Sequence, residues 1–233
     1  MTLQTAPSHA GAGLTFRDRL AQNQIRISGR LKLGLHAKFT RYGLCRDLTL
    51  PITNPNAKIP IAVRPLQDTD LGLLLSADPR DPAEKLELAW RRAFVDKGAH
   101  GGFVAVDQRN GTPCYVQWLF GFQNNDFIQS LGGFPLLEPQ EALLENAYTP
   151  PRYRGLGIMS AAMALIAEHA SEVGANQVLT FVDQVNIASL KGCQRAGFHP
   201  HRLHHRTRLC FGLINRDRFD TLPNSDPRRT ATF

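Results

Sequence analysis

The nine residues Arg152-Tyr-Arg-Gly-Leu-Gly-Ile-Met-Ser160 constrain this chain more than any other stretch, because two glycines stand between a strand-like run and a helix-like run. Before them, residues 142–149 read as a strand that stops at Pro150-Pro151. After them, Met159, Ala162, Met163, Ile166, Ala167, Ala170 and Val173 recur at a period of 3.6, so residues 158–173 read as a helix that Gly174 ends. Glycines at such a corner let the backbone take positive φ and let a ligand approach the amides. A helix N-terminus adds unpaired N–H groups and about half a positive charge, which suits a diphosphate. Arg152 or Arg154 adds charge-assisted contacts.

Other uses of the same glycines are weighed beside this one. A plain strand-to-helix turn needs them only for packing. A dinucleotide fingerprint is approximated by Gly155, Gly157 and Ser160, with Asp183 ending the next strand. Against it, the third glycine is missing, Asp183 comes late, and too few strand–helix units follow. A P-loop is excluded, since no Gly-Lys-Ser/Thr follows.

Around this centre, elements alternate. Residues 61–65 read as a strand and 68–75 as a helix capped by Asp68 or Thr69. A second helix carries Leu86, Ala89, Trp90, Ala93 and Phe94 as its apolar stripe. Strands follow at 103–106 and 115–122, joined through an Asn110-Gly111 turn, with Trp118 and Phe120 packing a core. Residues 124–140 read as a long loop. Beyond the central helix come a buried strand at 178–182, a helix from Asn186 to Gly197, and one or two strands in 201–214. Residues 1–13 read as disordered, 16–35 as a basic helix followed by a strand, and 51–60 as a linker.

Composition narrows the classes. Charged residues make up 20% and hydrophobic ones 42%, as in a globular protein. No apolar run is long enough to span a membrane, and no signal peptide is read at the N-terminus. Cys45, Cys114, Cys193 and Cys210 are scattered, which fits a reducing compartment and a cytoplasmic location. A net charge of +7 favours anionic partners, and a phosphate-rich co-substrate meets that preference. Without a basic run interleaved with aromatics, no nucleic-acid partner is expected. His199, His201, His204 and His205 do not fall at a ligand spacing, so no metal is expected.

Two segments together resemble the GNAT superfamily of N-acetyltransferases. Arg152-Tyr-Arg-Gly155-Leu-Gly157 matches that family's Arg/Gln-x-x-Gly-x-Gly/Ala motif, and a second register starting at Arg154 uses the same amides. Asn186-Ile-Ala-Ser189, followed by Gly197-Phe198, matches the later segment at the right separation. The resemblance implies a single α/β (α+β) domain at 60–212, with a mixed, mostly antiparallel sheet flanked by helices. Residues 1–59 are then an N-terminal extension and 213–233 a polar tail.

The resemblance also implies a reaction. Acetyl-CoA, or another acyl-CoA, gives its acyl group directly to an amine of a small molecule or peptide. It places Ala147, Tyr148 and Thr149 on the pantetheine arm and thioester, Arg152, Arg154, Gly155, Leu156, Gly157, Ile158, Met159 and Ser160 around the diphosphate, and Asn186 beside the pantetheine. Glu145, on the strand before the loop, is the candidate base; an exposed strand carboxylate is its plainer reading. Cys193 stands where the family often has a tyrosine that protonates the leaving thiolate. It is read either as that acid or as a small core residue, with Tyr148, Tyr153 or water as substitutes. A longer-chain transferase served by an acyl carrier protein and a non-catalytic acyl-CoA-binding module are the alternatives. An oligomer is compatible with all of these.

Overall fold

A computed structural model describes residues 35–75 and 81–233. The expectations for residues 1–13 and for the basic segment up to residue 34 lie outside the described residues. The described residues divide into two compact units, one of residues 39–75, 81–205 and 217–233 and a smaller one of residues 35–38 and 206–216. In the smaller unit the turn after Leu209 holds Cys210 and Phe211 at φ 50° and 59°, and the Cys210 N–H donates to the Leu35 carbonyl at 2.9 Å.

One sheet contains eight strands: β1 (His36–Asp47), β2 (Ile61–Pro65), β3 (Gly102–Asp107), β4 (Thr112–Gly121), β5 (Glu141–Tyr148), β6 (Gln177–Asp183), β7 (His199–Leu209) and β8 (Ile214–Thr221). Their order across the sheet is β2-β3-β4-β5-β6-β1-β7-β8. The described helices are α1 (Asp68–Leu75), α2 (Pro82–Asp96), α3 (Asn125–Leu131), α4 (Ile158–Glu168) and α5 (Ile187–Arg195). The pairs β2–β3, β3–β4, β4–β5 and β1–β6 are antiparallel, and β5–β6 is parallel. This is the mixed, mostly antiparallel sheet that the sequence implies.

Strand alternation divides the buried residues between two cores. Ala105, Tyr115, Leu119, Ala142, Leu144 and Val178 pack with Ile158, Ala162, Met163 and Ile166 of α4 and with Leu190 of α5. Their strand neighbours Val104, Val116, Trp118, Phe120, Leu143 and Leu179 pack with Leu74 of α1, Leu88 of α2 and Ile128 of α3. Each fully buried Leu, Ile or Phe contributes roughly 1.5–3 kcal/mol, so both layers hold the central strands in place. Trp118 and Phe120 lie in this second core, as read from the sequence.

Several elements differ from the sequence reading. Residues 36–47, assigned to the extension, form β1 and pair with β6 from Arg41↔Asp183 to Asp47↔Gln177. Residues 214–221, assigned to the tail, form β8. The expected loop at 124–140 contains α3, whose seven residues are too few to show a period. The Asn125 side chain ties this helix to the chain beyond it, accepting the Leu137 N–H at 2.8 Å and donating to the Leu137 carbonyl at 3.0 Å. α2 is rotated from its expected stripe: Leu88 is buried while Trp90 is 67% exposed. Its inward face also carries Glu84 and Arg91, polar residues that hide the period. α1 starts at Asp68, and the side chain of Asp70 reaches back to accept the Gln67 N–H at 2.9 Å. Finally, α4 stops at Glu168 and continues as a 3-10 turn, His169–Val173, which Gly174 ends at φ 80°.

Candidate functional site

The site begins where two parallel strands part. Pairing between β5 and β6 runs through Glu141↔Gln177, Ala142↔Val178 and Leu143↔Leu179 and then ends. Beyond Leu143 the facing edges open into a wedge, while β5 remains paired to β4 on its other side. That second ladder is irregular between Val116 and Trp118, which face Tyr148 and Glu145. Asn146, inside the irregularity, has φ 59°, the left-handed region that non-glycine residues rarely enter. Such a bulge turns the strand and re-aims its backbone groups.

α2 fixes this distorted strand. Arg91 donates to the Ala147 carbonyl at 2.6 Å and lies 4.7 Å over the Tyr148 ring. Glu84 accepts from the Tyr148 hydroxyl at 2.6 Å and from Arg154 at 2.7 Å. Arg154 also donates to the Thr149 carbonyl at 3.0 Å. Arg154 therefore ties the end of β5 to α2 while its side chain stays about half exposed, and Arg152 is exposed on the same loop.

The strand leads into the glycine corner at the wide end of the wedge. Gly155 and Gly157 have φ 77° and 73°, conformations in which an L-residue is strained. A Cβ on Gly155 would meet nothing within 4 Å. The first ladder bond at the start of α4 runs from the Ala161 N–H to the Gly157 carbonyl at 3.2 Å. The amides of Ile158, Met159 and Ser160 precede that ladder, at the positions where helix amides lack an intrahelical partner. One flank is covered by main chain, since Lys58 N–H donates to the Leu156 carbonyl at 2.8 Å and Asn56 O lies 3.5 Å from a Cβ built on Gly157. The open Gly155 side and the amides ahead of the ladder fit a diphosphate.

Residues 75–198 match the model of the acetyltransferase (GNAT) family, more than half of the chain. The chain belongs to the GNAT acetyltransferase family. GNAT enzymes take the acyl group from acyl-CoA and pass it to an amine. No curated protein sequence matches this one. Among solved structures, a Drosophila protein has a TM-score of 0.50 at 12% identity, over 86% of this chain and 60% of that one. The GCN5-related glucosamine N-acetyltransferase region of a fungal multi-domain β-N-acetylglucosaminidase has a TM-score of 0.50 at 15% identity, over 82% and 23%. At these identities the likeness is one of fold. This GNAT chain spans about 60% of the Drosophila protein's length and about a quarter of the fungal one's.

The ionisable groups of this GNAT wedge differ sharply in character. Burial pushes the Glu145 carboxyl up to about 6, opposed by Arg41, by the Asn146 N–H and by Arg91. Burial pushes the Cys193 thiol up to about 12, and the residue is 1% exposed in the core beside α4. The Tyr148 hydroxyl is raised by burial and by its bond to Glu84. Tyr153, buried under the loop, is bonded to Asp107. Asn186 caps α5, accepting the Ser189 N–H at 3.1 Å.

Glu84, Arg91 and Arg41 escaped the sequence reading. The first two stand seven apart on α2 with Leu88 between them, a helical spacing that a search for apolar residues alone passes over. Nothing local in the sequence marks Arg41. Of the four histidines, His204 is fully buried and bonded within β7's surroundings, whereas His199 is exposed. Among the described residues, no helix is long and apolar enough to cross a membrane.

Proposed function

We propose that this chain is an N-acyltransferase that moves an acetyl or other acyl group from acyl-CoA to an amine by direct attack. The observation that carries the reading is the parting of β5 from β6 after Leu143, with the glycine corner at the end of β5. Bound acyl-CoA supplies an activated thioester. The amides of residues 155–160 hold its diphosphate, with Arg152 beside them. The free edge of β5 at Ala147, Tyr148 and Thr149 holds the pantetheine arm, and an N–H there stabilises the oxyanion, an effect worth about 2.7–4 kcal/mol per donor. Asn186 stands at the far side as a helix cap.

Glu145 removes a proton from the acceptor ammonium, and a carboxylate near 6 is largely ionised at neutral pH and ready for that step. The neutral nitrogen then forms the new C–N bond, the C–S bond breaks, and the proton that the new amide nitrogen sheds passes through solvent to the leaving thiolate. Cys193 stays with the core, because a thiol near 12 gives up its proton poorly. Tyr148 holds β5 through Glu84 and serves as a structural residue in this scheme.

The test is a thermal shift with CoA, acetyl-CoA and NAD side by side, followed by a thiol-release assay with a panel of amines and of short- and long-chain donors, including acyl carrier protein thioesters. A rise with CoA and acetyl-CoA but not NAD, and thiol release dependent on an amine, are expected. At 100 times Kd the ligand adds about 2.7 kcal/mol to stability. Binding without release by any donor and amine would favour the non-catalytic module, which the buried Cys193 supports.

A further inference from the structure

The face of the wedge that bears Glu145 meets a group of side chains contributed by strands outside the family-matched segment. Continuing the β5–β6 register from Leu143↔Leu179 sets Glu145 level with Phe181 across the opening. Phe181 packs in the second core, on the same side as Tyr148 and Leu143. Its ring leans over β1 at Gly43, where a Cβ would come within 2.8 Å of it. Arg41, two residues before Gly43 on β1, holds its guanidinium 5.5 Å from the Phe181 ring centroid and 5.0 Å from that of Phe134. It also donates to the Gly133 carbonyl, and so ties β1 to the chain after α3.

The guanidinium is itself fixed from behind. Arg41 Nε donates to His204 Nδ1 at 3.0 Å, so that nitrogen accepts and the ring proton sits on Nε2, which donates to Asp217 at 2.6 Å. Phe219 stacks on the imidazole with centroids 4.4 Å apart and an interplanar angle of 13°. A buried ring held on three sides leaves Arg41 one orientation.

We propose that Arg41, oriented by His204 and Asp217, is a positioning residue that presents its guanidinium to Glu145 across Phe181, on the acceptor side of the wedge. The proposal rests on the reading of Glu145 as the base. Among the described residues, the charged and titratable groups that act on Glu145 electrostatically are Arg41 from β1, Arg91 from α2 and Cys193 from α5. Burial alone works against the carboxylate, and the two guanidiniums oppose it. Arg91 is already bonded to the Ala147 carbonyl and to Glu87, so Arg41 is the charge whose removal disturbs β5 least.

The experiment follows the Glu145 carboxyl by carbon NMR in the full chain labelled at glutamate, its resonance identified by its loss in Glu145→Gln. In the wild type the midpoint is expected near 6. In Arg41→Gln it moves up by about one pH unit or more, the usual effect of losing a close opposite charge. In Arg41→Lys it stays near the wild-type value. A midpoint unmoved in Arg41→Gln, or moved equally in both variants, overturns the proposal. If Arg41→Gln does not fold, His204→Asn keeps the charge but loosens it; an upward move then supports the proposal, and none overturns it. The titration needs no substrate, so its failure is distinct from failure of the base reading, which Glu145→Gln with full transfer activity would show.

Discussion

At the scale of single residues, Glu145 links the fold to the chemistry. Its folded carboxyl lies near 6 against an ordinary value of 4.5, because burial penalises the charge. A carboxyl raised on folding costs stability where it is ionised. The cost is absent below about 4.5, grows between the two values and is complete above about 6. Glu145→Gln is therefore expected to melt higher than the wild type at pH 8, with the difference closing below pH 4.5. Its kcat/KM at neutral pH is expected to fall by about 10²–10⁴-fold, with CoA affinity retained. Sequence pattern placed Glu145 on the right strand. Its proximity to Arg41, more than a hundred positions earlier, has no local signature, and the same holds for the Tyr148–Glu84 bond.

At the scale of elements, the glycine corner allows a matched comparison. Gly155 and Gly174 have φ 77° and 80°, and a Cβ on either meets nothing within 4 Å. Alanine at either position carries the same left-handed strain, roughly 1–2 kcal/mol, which for a chain of this size lowers Tm by about 2–8 °C. Only at residue 155 does the added methyl enter the space assigned to the diphosphate. Gly155→Ala is expected to lose most of the CoA-dependent rise in Tm, and Gly174→Ala to keep it. Equal rises in both would sink the placement. On α2, Arg91→Ala is expected to free the Ala147 carbonyl and weaken acyl-CoA binding, read as a raised KM for the donor. The elements legible in sequence were those with uninterrupted periods, such as α4 and β4. α3 and the true inward face of α2 were not, because one is short and the other buries two charged residues.

At the scale of the whole molecule, β1 shows how far the sheet extends beyond the matched segment. It pairs with β6 over residues 41–47 and carries Leu44 into the core and Arg46 against the Ala164 carbonyl at 3.0 Å. A chain starting at residue 60 lacks β1, which exposes the β6 edge and removes Arg41 itself. It is expected to be insoluble or to lose cooperative thermal unfolding by circular dichroism. A fragment of residues 60–233 that melts like the full chain would show that β1 is dispensable.

The glycine corner, the period of α4 and the Asn186 cap are local properties, since dihedral preference, helix periodicity and capping act within a few residues; sequence alone therefore determined the glycine corner and the class of fold. Strand order, the end of the β5–β6 ladder and the company Glu145 keeps depend on residues far apart in the chain. Burial and charge act through space, and only the folded sheet brought Arg41, Arg91 and Cys193 to that carboxyl.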